Sequence, residues 1–158
     1  MDLANGNGTL SVGVKILDCD HREMFEAISE LHATAVAGKD RNRTGLLLRN
    51  LAHFTFTHFA LEEGLMAATK YPGLAQHRLN HKCLMEHLEA LISLHDRDGL
   101  TLNPDSLGFL QEWLTAHIQN DDMHYGLWVN QVDKRYTSKE SWVDANNRGA
   151  GFGSEASS

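Results

Sequence analysis

Residues 58–81 read HFALEEGLMAATKYPGLAQHRLNH, and the architecture of the whole chain can be inferred from them. Side chains four residues apart lie on one helical face, roughly 6 Å from each other, so His58 stands beside Glu62. The same spacing pairs His77 with His81. The Pro-Gly step between the two pairs predicts a tight turn that joins antiparallel helices. Three imidazoles and a carboxylate then converge near one turn, which is what a transition metal requires.

The composition is that of one globular, mostly helical domain. The 158 residues are 42% hydrophobic and 22% charged, and they include only two prolines. This length is sufficient for a substantial hydrophobic core. The net charge of -7 argues against nucleic acid or an anionic membrane as the main partner.

The N-terminus and the cysteines bear on location. The first ten residues have neither the positive start nor the apolar run of a secretory signal, and no run of about 18 apolar residues could span a bilayer. Cys19 and Cys83 form no Cys-x-x-Cys motif, and we expect inert buried thiols rather than a disulfide. The expected location is the cytoplasm.

Helical periodicity predicts an all-α fold of four helices. Asp18 or Asp20 is the expected N-cap of the first helix, and Asn103-Pro104-Asp105 is a strong start signal for the last. Short connections favour an up-down-up-down four-helix bundle. We expect this bundle, with an N-terminal arm, over residues 1–136, followed by a mostly flexible C-terminal tail over 137–158. The predicted helices cover about 19–38, 44–69, 74–96 and 104–136.

The bundle topology brings the candidate metal ligands to one end. In this topology the start of the first helix, the end of the second, the start of the third and the end of the fourth lie together. The candidates at this end are His21, His58, Glu62, His77, His81 and His117, with Asp121 or Asp122. Four of the other five histidines point away or lie too far along their helices, and His124 lies two turns past His117, below the site, as a core residue or a support of the ligands. We expect surface or satisfied core residues at all five positions. They are His32, His53, His87, His95 and His124.

The number of donors indicates the kind of centre. Five imidazoles and two carboxylates exceed the four ligands of a tetrahedral zinc ion, so two metal ions are implied. If both carboxylates and a solvent-derived oxygen bridge two six-coordinate ions, one coordination position stays open. An open position on an electron-rich metal pair is a site for a small ligand.

The motifs, taken together, resemble those of bacterial single-domain hemerythrins. Any one of the histidine pairs would be a weak signal, but their joint spacing over about residues 10–136 is specific. The matching motifs are Asp18-Cys-Asp-His21, His58-Phe-x-x-Glu62-Glu63, Tyr71-Pro72, His77-x-x-x-His81 and Trp113-Leu-x-x-His117-Ile-x-x-x-Asp122.

The resemblance implies a non-haem pair of iron ions inside the bundle. On the family pattern one iron is held by His77, His81 and His117, and the other, which keeps the open position, by His21 and His58. Glu62 and Asp122, together with an oxo or hydroxo group, bridge the two irons. On an ideal helix Asp121 rather than Asp122 shares the face of His117, and here we follow the family pattern.

The implied function is reversible binding of dioxygen, as a hydroperoxide, for storage, delivery or sensing, and not catalysis. Five bulky side chains match family positions around the oxygen, although ordinary core packing would also account for them. They are Met24, Phe59, Trp113, Leu114 and Ile118. Tyr125 is the expected hydrogen-bonding partner of the ligands, and we expect Glu63 to be a solvated helix residue.

Two other functions stay open. An enzyme acting on dioxygen, nitric oxide or peroxide could use a similar bundle, but such enzymes draw mainly on carboxylates with two Glu-x-x-His motifs. The histidine-rich set in this chain favours binding over activation. A sensory module that binds a protein partner is the third hypothesis, and a protein that receives oxygen from this chain is a further expected partner.

Overall fold

The computed structural model describes residues 10–38, 40–98 and 104–131, which contain helices and no strand. The helices are α1 (Lys15–Ala37), α2 (Arg41–Ala68), α3 (Leu74–Asp98) and α4 (Pro104–His117). A π-helical turn, Ile118–Asp122, follows α4 directly, and residues 123–131 continue as helix. We call the continuous segment 104–131 the fourth helix.

The helices pack as an up-down-up-down bundle, which confirms the predicted fold class. Helix α1 packs against α2 and α4, and α2 packs against α3. The α2–α3 connection is short because Lys70 adopts a positive φ of 56°, which lets the amide of Tyr71 bond back to the carbonyl of Met66 at 2.9 Å. The predicted end of the fourth helix near 136 and the tail over 137–158 lie outside the described residues.

Two helices begin earlier than the sequence predicted. Helix α1 starts at Lys15 instead of about 19, because the carboxylate of Asp18 does not cap it. Asp18 accepts hydrogen bonds from the hydroxyl of Ser11 and the amide of Val12, both at 2.7 Å. Helix α2 starts at Arg41 instead of 44, because Asp40 is the N-cap, and its side chain accepts from the amide of Arg43.

Apolar side chains fill the interior along most of the bundle. Their burial stabilises the fold by roughly 1.5–3 kcal/mol for each large side chain. Fully buried examples from the four helices are Leu17, Leu31, Leu48, Met66, Leu88 and Leu107. None of the helices within the described ranges is both long and apolar enough to cross a bilayer.

The far end of the bundle is closed by His95, one of the five histidines predicted to lie outside the site. It is buried, and its Nε2 donates to the carbonyl of Arg41 at 3.1 Å. The guanidinium of Arg41 donates in return to the carbonyl of His95. His95 is therefore a satisfied core histidine, as the sequence predicted.

The N-terminal arm crosses the fourth helix one turn beyond Asp122. Val12 is only 3% exposed. A Cβ atom placed on Gly126 would lie 1.9 Å from the carbonyl oxygen of Val12. A glycine at position 126 is therefore what allows the arm to approach the helix so closely. The arm covers the same end of the bundle that carries the candidate ligands.

Gly126→Ala is expected to displace the arm and destabilise the protein by roughly 1–3 kcal/mol. The added Cβ would clash with the carbonyl oxygen of Val12, and either the arm or the helix must move to relieve the clash. Urea denaturation measures the change. Gly108→Ala is the matched control on the same helix, because a Cβ there has no neighbour within 4 Å. The control is expected to be neutral or to gain up to about 1 kcal/mol of helix propensity. Equal stability of the two variants would contradict the seated arm.

Candidate metal centre

Seven polar side chains are buried together at the end of the bundle covered by the arm. Each is at most 3% exposed, although these residue types are rarely buried so completely. Helix α1 contributes one, α2 and α3 two each, and the fourth helix two. They are His21, His58, Glu62, His77, His81, His117 and Asp122.

The donor atoms of these side chains form two overlapping groups. Within each group the candidate ligand atoms lie within 4.8 Å of one another. Glu62 belongs to both groups, so its carboxylate stands between them. The larger group is Glu62, His77, His81, His117 and Asp122, and the smaller is His21, His58 and Glu62.

The spacing of the donors in the larger group matches the edges of a coordination polyhedron. Donors about 2.1 Å from a six-coordinate ion lie about 3.0 Å from their neighbours. The Nε2 atoms of His81 and His117 are 3.0 Å apart. Oε2 of Glu62 lies 3.2 Å from Nε2 of His77 and 3.3 Å from Nε2 of His81.

The two oxygens of Asp122 face different groups of histidines. Oδ1 lies 3.0 Å from Nε2 of His117 and 3.4 Å from Nε2 of His77. Oδ2 lies 3.2 Å from Nε2 of His21. A carboxylate with one oxygen toward each group has the arrangement of a bridging ligand.

The π-helical turn explains why Asp122 reaches the interior. The amide of Met123 bonds to the carbonyl of Ile118, five residues back, so this turn is wider than an α-helical one. As a result both carboxylates that follow His117 touch its ring. Asp121 contacts the outer Nδ1 at 2.9 Å and Asp122 contacts the inner Nε2 at 3.0 Å.

The outer nitrogens of three imidazoles are held by carboxylates. Nδ1 of His58 lies 3.0 Å from Asp20, and Nδ1 of His81 lies 2.9 Å from Glu63. These contacts correct two expectations. Asp20 lies inside α1 and is not its N-cap, and Glu63 is not simply solvated, because its carboxylate reaches across to α3.

The hydrogen-bond pattern of His81 and His117 calls for a cation between them. In each neutral ring the Nδ1–H donates to a carboxylate, so Nε2 carries a lone pair. Two lone pairs that face each other at 3.0 Å repel unless they share a positive ion. Neutral imidazoles with this tautomer are the form that binds metals.

Several buried atoms of the cluster have no hydrogen-bond partner among the described residues. They are both ring nitrogens of His21, Oε1 of Glu62 and both oxygens of Asp122. Imidazole nitrogens approach the Asp122 oxygens at 3.0–3.4 Å, but without hydrogen-bond geometry. Buried polar atoms of this kind cost roughly 1–3 kcal/mol each when left unpaired, and bound metal ions would satisfy them. The donor set therefore fits a pair of metal ions.

The carboxylates at the centre of the cluster are ionised. Burial alone would raise the pKa of Glu62, but the neighbouring imidazoles of His77 and His81 outweigh it and hold the pKa at about 2. The pKa of Asp122 is likewise well below its usual range, because the imidazoles of His117 and His21 outweigh burial. Burial lowers the pKa of His58, which favours its neutral, metal-binding form.

Aromatic rings cover two of the imidazoles. Phe59 stacks on His81 with centroids 3.5 Å apart and planes at 5°. Trp113 stacks on His117 with centroids 4.6 Å apart and planes at 16°.

A surface cleft of about 180 Å³ lies beside Trp113 and is lined by Asn80, Cys83, Trp113, Ala116, His117, Asn120 and Asp121. Cys83 is exposed there, so the expectation of a buried thiol is wrong for it.

The remaining predicted pocket residues lie deeper in the bundle. Ile118, in the π-helical turn, is fully buried. Met24 and Leu114 line an apolar cavity of about 10 Å³, which is roughly the space that one water molecule needs. Its other lining residues are Ile28, Leu51, Thr55, Leu84, Leu88 and Leu110.

Tyr125, the predicted hydrogen-bonding partner of the ligands, is buried on the segment 123–131. Its hydroxyl interacts with Thr69 of the α2–α3 connection. Its ring packs edge-on against Tyr71 with centroids 5.4 Å apart. Burial raises the pKa of Tyr125, so this hydroxyl stays protonated at neutral pH.

The spacing of residues did not predict that Asp20 and Glu63 support the ligands. A signal for them exists in the sequence, because each stands next to a candidate ligand, Asp20 before His21 and Glu63 after Glu62. Asp121 has the same relation to Asp122. In each case the inward carboxylate or imidazole has an outward acidic neighbour.

Comparisons with known proteins agree with this geometry. A family model described as the hemerythrin HHE cation binding domain matches residues 12–129. The bacteriohemerythrin of Stenotrophomonas maltophilia (strain R551-3) is 30% identical over 116 residues, which are 73% of this chain and 74% of that protein. The bacteriohemerythrin of Methylococcus capsulatus (strain ATCC 33009 / NCIMB 11132 / Bath) is 30% identical over 113 residues, which are 72% of this chain and 86% of that protein.

Solved structures show the same architecture. A crystal structure of wild-type hemerythrin aligns with a TM-score of 0.69 at 29% identity. The alignment covers 80% of this chain and 93% of that chain. The similarity therefore extends over nearly the whole of the solved structure.

Proposed function

We propose that this chain, which belongs to the hemerythrin family, is a cytoplasmic protein that binds dioxygen reversibly at a pair of iron ions. Membership of the family confirms the resemblance seen in the sequence. The single observation that supports a two-metal site best is Asp122, whose two oxygens face separate groups of histidines. A carboxylate in this arrangement serves two ions better than one.

Each iron would have its own set of imidazoles. His77, His81 and His117 would hold one ion, and His21 and His58 would hold the other. Glu62 and Asp122 would bridge them. When bound, the ferrous pair would supply the electrons and the open position that dioxygen requires.

The surrounding side chains would keep the bound oxygen away from water and acids. Phe59 and Trp113 cover the rings of His81 and His117. The small cavity lined by Met24 and Leu114 is otherwise surrounded by apolar side chains and one threonine. Its lining contains no titratable group. An apolar pocket without a titratable group favours release of the ligand unchanged over its reduction.

Anaerobic loading with ferrous iron tests the proposal. Two irons per chain are expected by metal analysis, and admission of air is expected to produce a visible charge-transfer absorption that disappears on degassing with argon. A single bound metal without such an absorption would refute the proposal. Irreversible bleaching with consumption of peroxide or nitric oxide would instead favour the alternative, an enzyme.

Trp113→Ala is expected to speed irreversible oxidation of the oxygenated protein by on the order of tenfold, because it removes the ring that stacks on His117, widens the surface cleft that His117 lines and admits more water. The decay of the absorption in air measures this rate. Phe109→Ala is the matched control, since Phe109 is on the same helix, 43% exposed, and contacts His87 instead. Equal decay rates in the two variants would show that Trp113 does not exclude water.

A further inference from the structure

We propose that Asp20, Glu63 and Asp121 are positioning residues, which fix three metal-binding imidazoles through their outer nitrogen atoms. This inference rests on the proposed function, because it concerns the same centre. The three carboxylates do not belong to either group of candidate ligand atoms. Their role is to orient His58, His81 and His117.

The geometry of the three contacts is nearly the same. The carboxylates lie 3.0, 2.9 and 2.9 Å from the Nδ1 atoms of His58, His81 and His117. Their side chains are 22%, 23% and 34% exposed, whereas each imidazole is almost completely buried. Each carboxylate therefore links the protein surface to a buried ring, and fixes both its orientation and its Nδ1–H tautomer.

Two of the carboxylates are themselves held by side chains of α3. Nε of Arg78 donates to Glu63 at 2.9 Å, and Nδ2 of Asn80 donates to Asp121 at 3.1 Å. Arg78 follows His77 directly and Asn80 precedes His81. Helix α3 thus presents imidazoles to the interior and, from the adjacent positions, holds the carboxylates that orient His81 and His117.

The contacts connect the four helices in order. Asp20 of α1 holds His58 of α2, and Glu63 of α2 holds His81 of α3. Asn80 of α3 then holds Asp121 of the fourth helix. Any helix that shifts must move a ligand of the neighbouring helix, so the order of these contacts keeps the donors in register.

The support is unequal between the two groups of donors. In the larger group His81 and His117 each have a carboxylate on Nδ1. In the smaller group only His58 does, since Nδ1 of His21 has no partner within the described ranges. A carboxylate that accepts the Nδ1–H proton makes the Nε2 atom of the same imidazole a stronger metal ligand. We therefore expect the larger group to bind its metal more tightly, and to depend on Glu63 and Asp121 for the difference.

Cobalt binding to the full chain tests the inference. After metal removal, Co²⁺ is titrated in competition with a chelator into wild type, Glu63→Gln and Asp121→Asn. Each substitution is expected to weaken cobalt binding about 10–100-fold at one of the two sites, and to leave the other site unchanged. Glu89→Gln, an exposed carboxylate on α3, is the control for loss of charge and is expected to match wild type.

A second measurement separates orientation from general damage to the fold. In the zinc-loaded, ¹⁵N-labelled protein, the Nδ1–H proton of His81 is expected far downfield and protected from exchange. In Glu63→Gln it is expected to move upfield and exchange faster, while the melting temperature of the metal-free variant stays near that of wild type. Arg78→Gln, which keeps Glu63 itself, is expected to give a smaller change in the same direction.

The outcomes are distinguishable. If wild type binds two metal ions and the variants bind them equally well with an unchanged Nδ1–H signal, the inference is wrong and the proposed function stands. If wild type binds neither cobalt nor iron as a pair, the proposed function fails and this inference fails with it. Restored affinity in Asp121→Glu, which keeps the charge, would further support positioning by the carboxylate.

Discussion

Asp122→Asn is expected to abolish the two-iron centre, while Asp121→Asn leaves it weakened but present. The neutral amide cannot serve as an anionic bridge, and two groups of buried imidazoles lose the charge between them. Removing one partner of such a buried set costs roughly 3–5 kcal/mol, which corresponds to a loss of metal affinity of roughly a hundredfold to several thousandfold. Loss of an orienting carboxylate costs only about 10–100-fold.

Iron content after gel filtration and the absorption in air measure this difference. The two residues are adjacent and carry the same functional group, so they control for each other. They differ in placement, since Asp122 is fully buried and Asp121 is 34% exposed. If Asp121→Asn lost the pair while Asp122→Asn retained it, Asp122 would not be the bridging carboxylate.

Removal of metal with a chelator is expected to lower the melting temperature by on the order of 10 °C. A ligand present at about a thousand times its dissociation constant stabilises the folded state by about 4 kcal/mol. For a chain of this length each kcal/mol corresponds to roughly 2–4 °C. Calorimetry of loaded and chelated protein measures the shift, and addition of ferrous iron under nitrogen is expected to restore it.

The chelated protein is also expected to lose stability steeply in acid. The pKa values of Glu62 and Asp122 are lowered in the folded state, so their contribution is present above their ordinary values and disappears as the pH falls from about 4.5 towards 2. Near pH 6.5, His58 and His117 change the stability of the folded protein with pH in opposite directions. Burial lowers the pKa of His58, whose contribution disappears below pH 6.5. The carboxylate of Asp122 outweighs burial and raises the pKa of His117, whose contribution disappears at higher pH.

Urea denaturation of the chelated protein between pH 7 and 3 measures this dependence. Glu62→Gln has no carboxyl group to titrate at this position, and we expect a shallower loss of stability below pH 4.5 than in wild type. Identical slopes for the two proteins would mean that Glu62 does not carry the effect.

Much of the fold and of the cluster followed from spacing alone. The four-residue spacing of His58 and Glu62, and of His77 and His81, defines helical faces, and the short connection places both faces at one end. The start of α1 did not follow, because an aspartate carboxylate can accept hydrogen bonds either from the first amides of a helix or from a neighbouring arm. Asp18 binds the arm, and only contacts with residues 11 and 12 distinguish the two roles.

The orienting carboxylates were harder to predict because their partners lie far away in sequence. Glu63 and His81 are on different helices, and the rotation of α2 against α3 decides whether they meet. The choice between Asp121 and Asp122 had another obstacle. An ideal α-helix turns only one of them toward the face of His117, and the wider hydrogen bonding between Ile118 and Met123 has no simple signature in the residue types.

The wide turn in the fourth helix also determines what this one segment can do for the centre. In a regular α-helix only Asp121, four residues after His117, would share its face, and Asp122 would point away. The wider turn gives the His117 ring an acidic neighbour on both edges without interrupting the helix. Two consecutive residues therefore brace one imidazole from outside and supply the carboxylate that reaches His21 on the opposite side of the cluster.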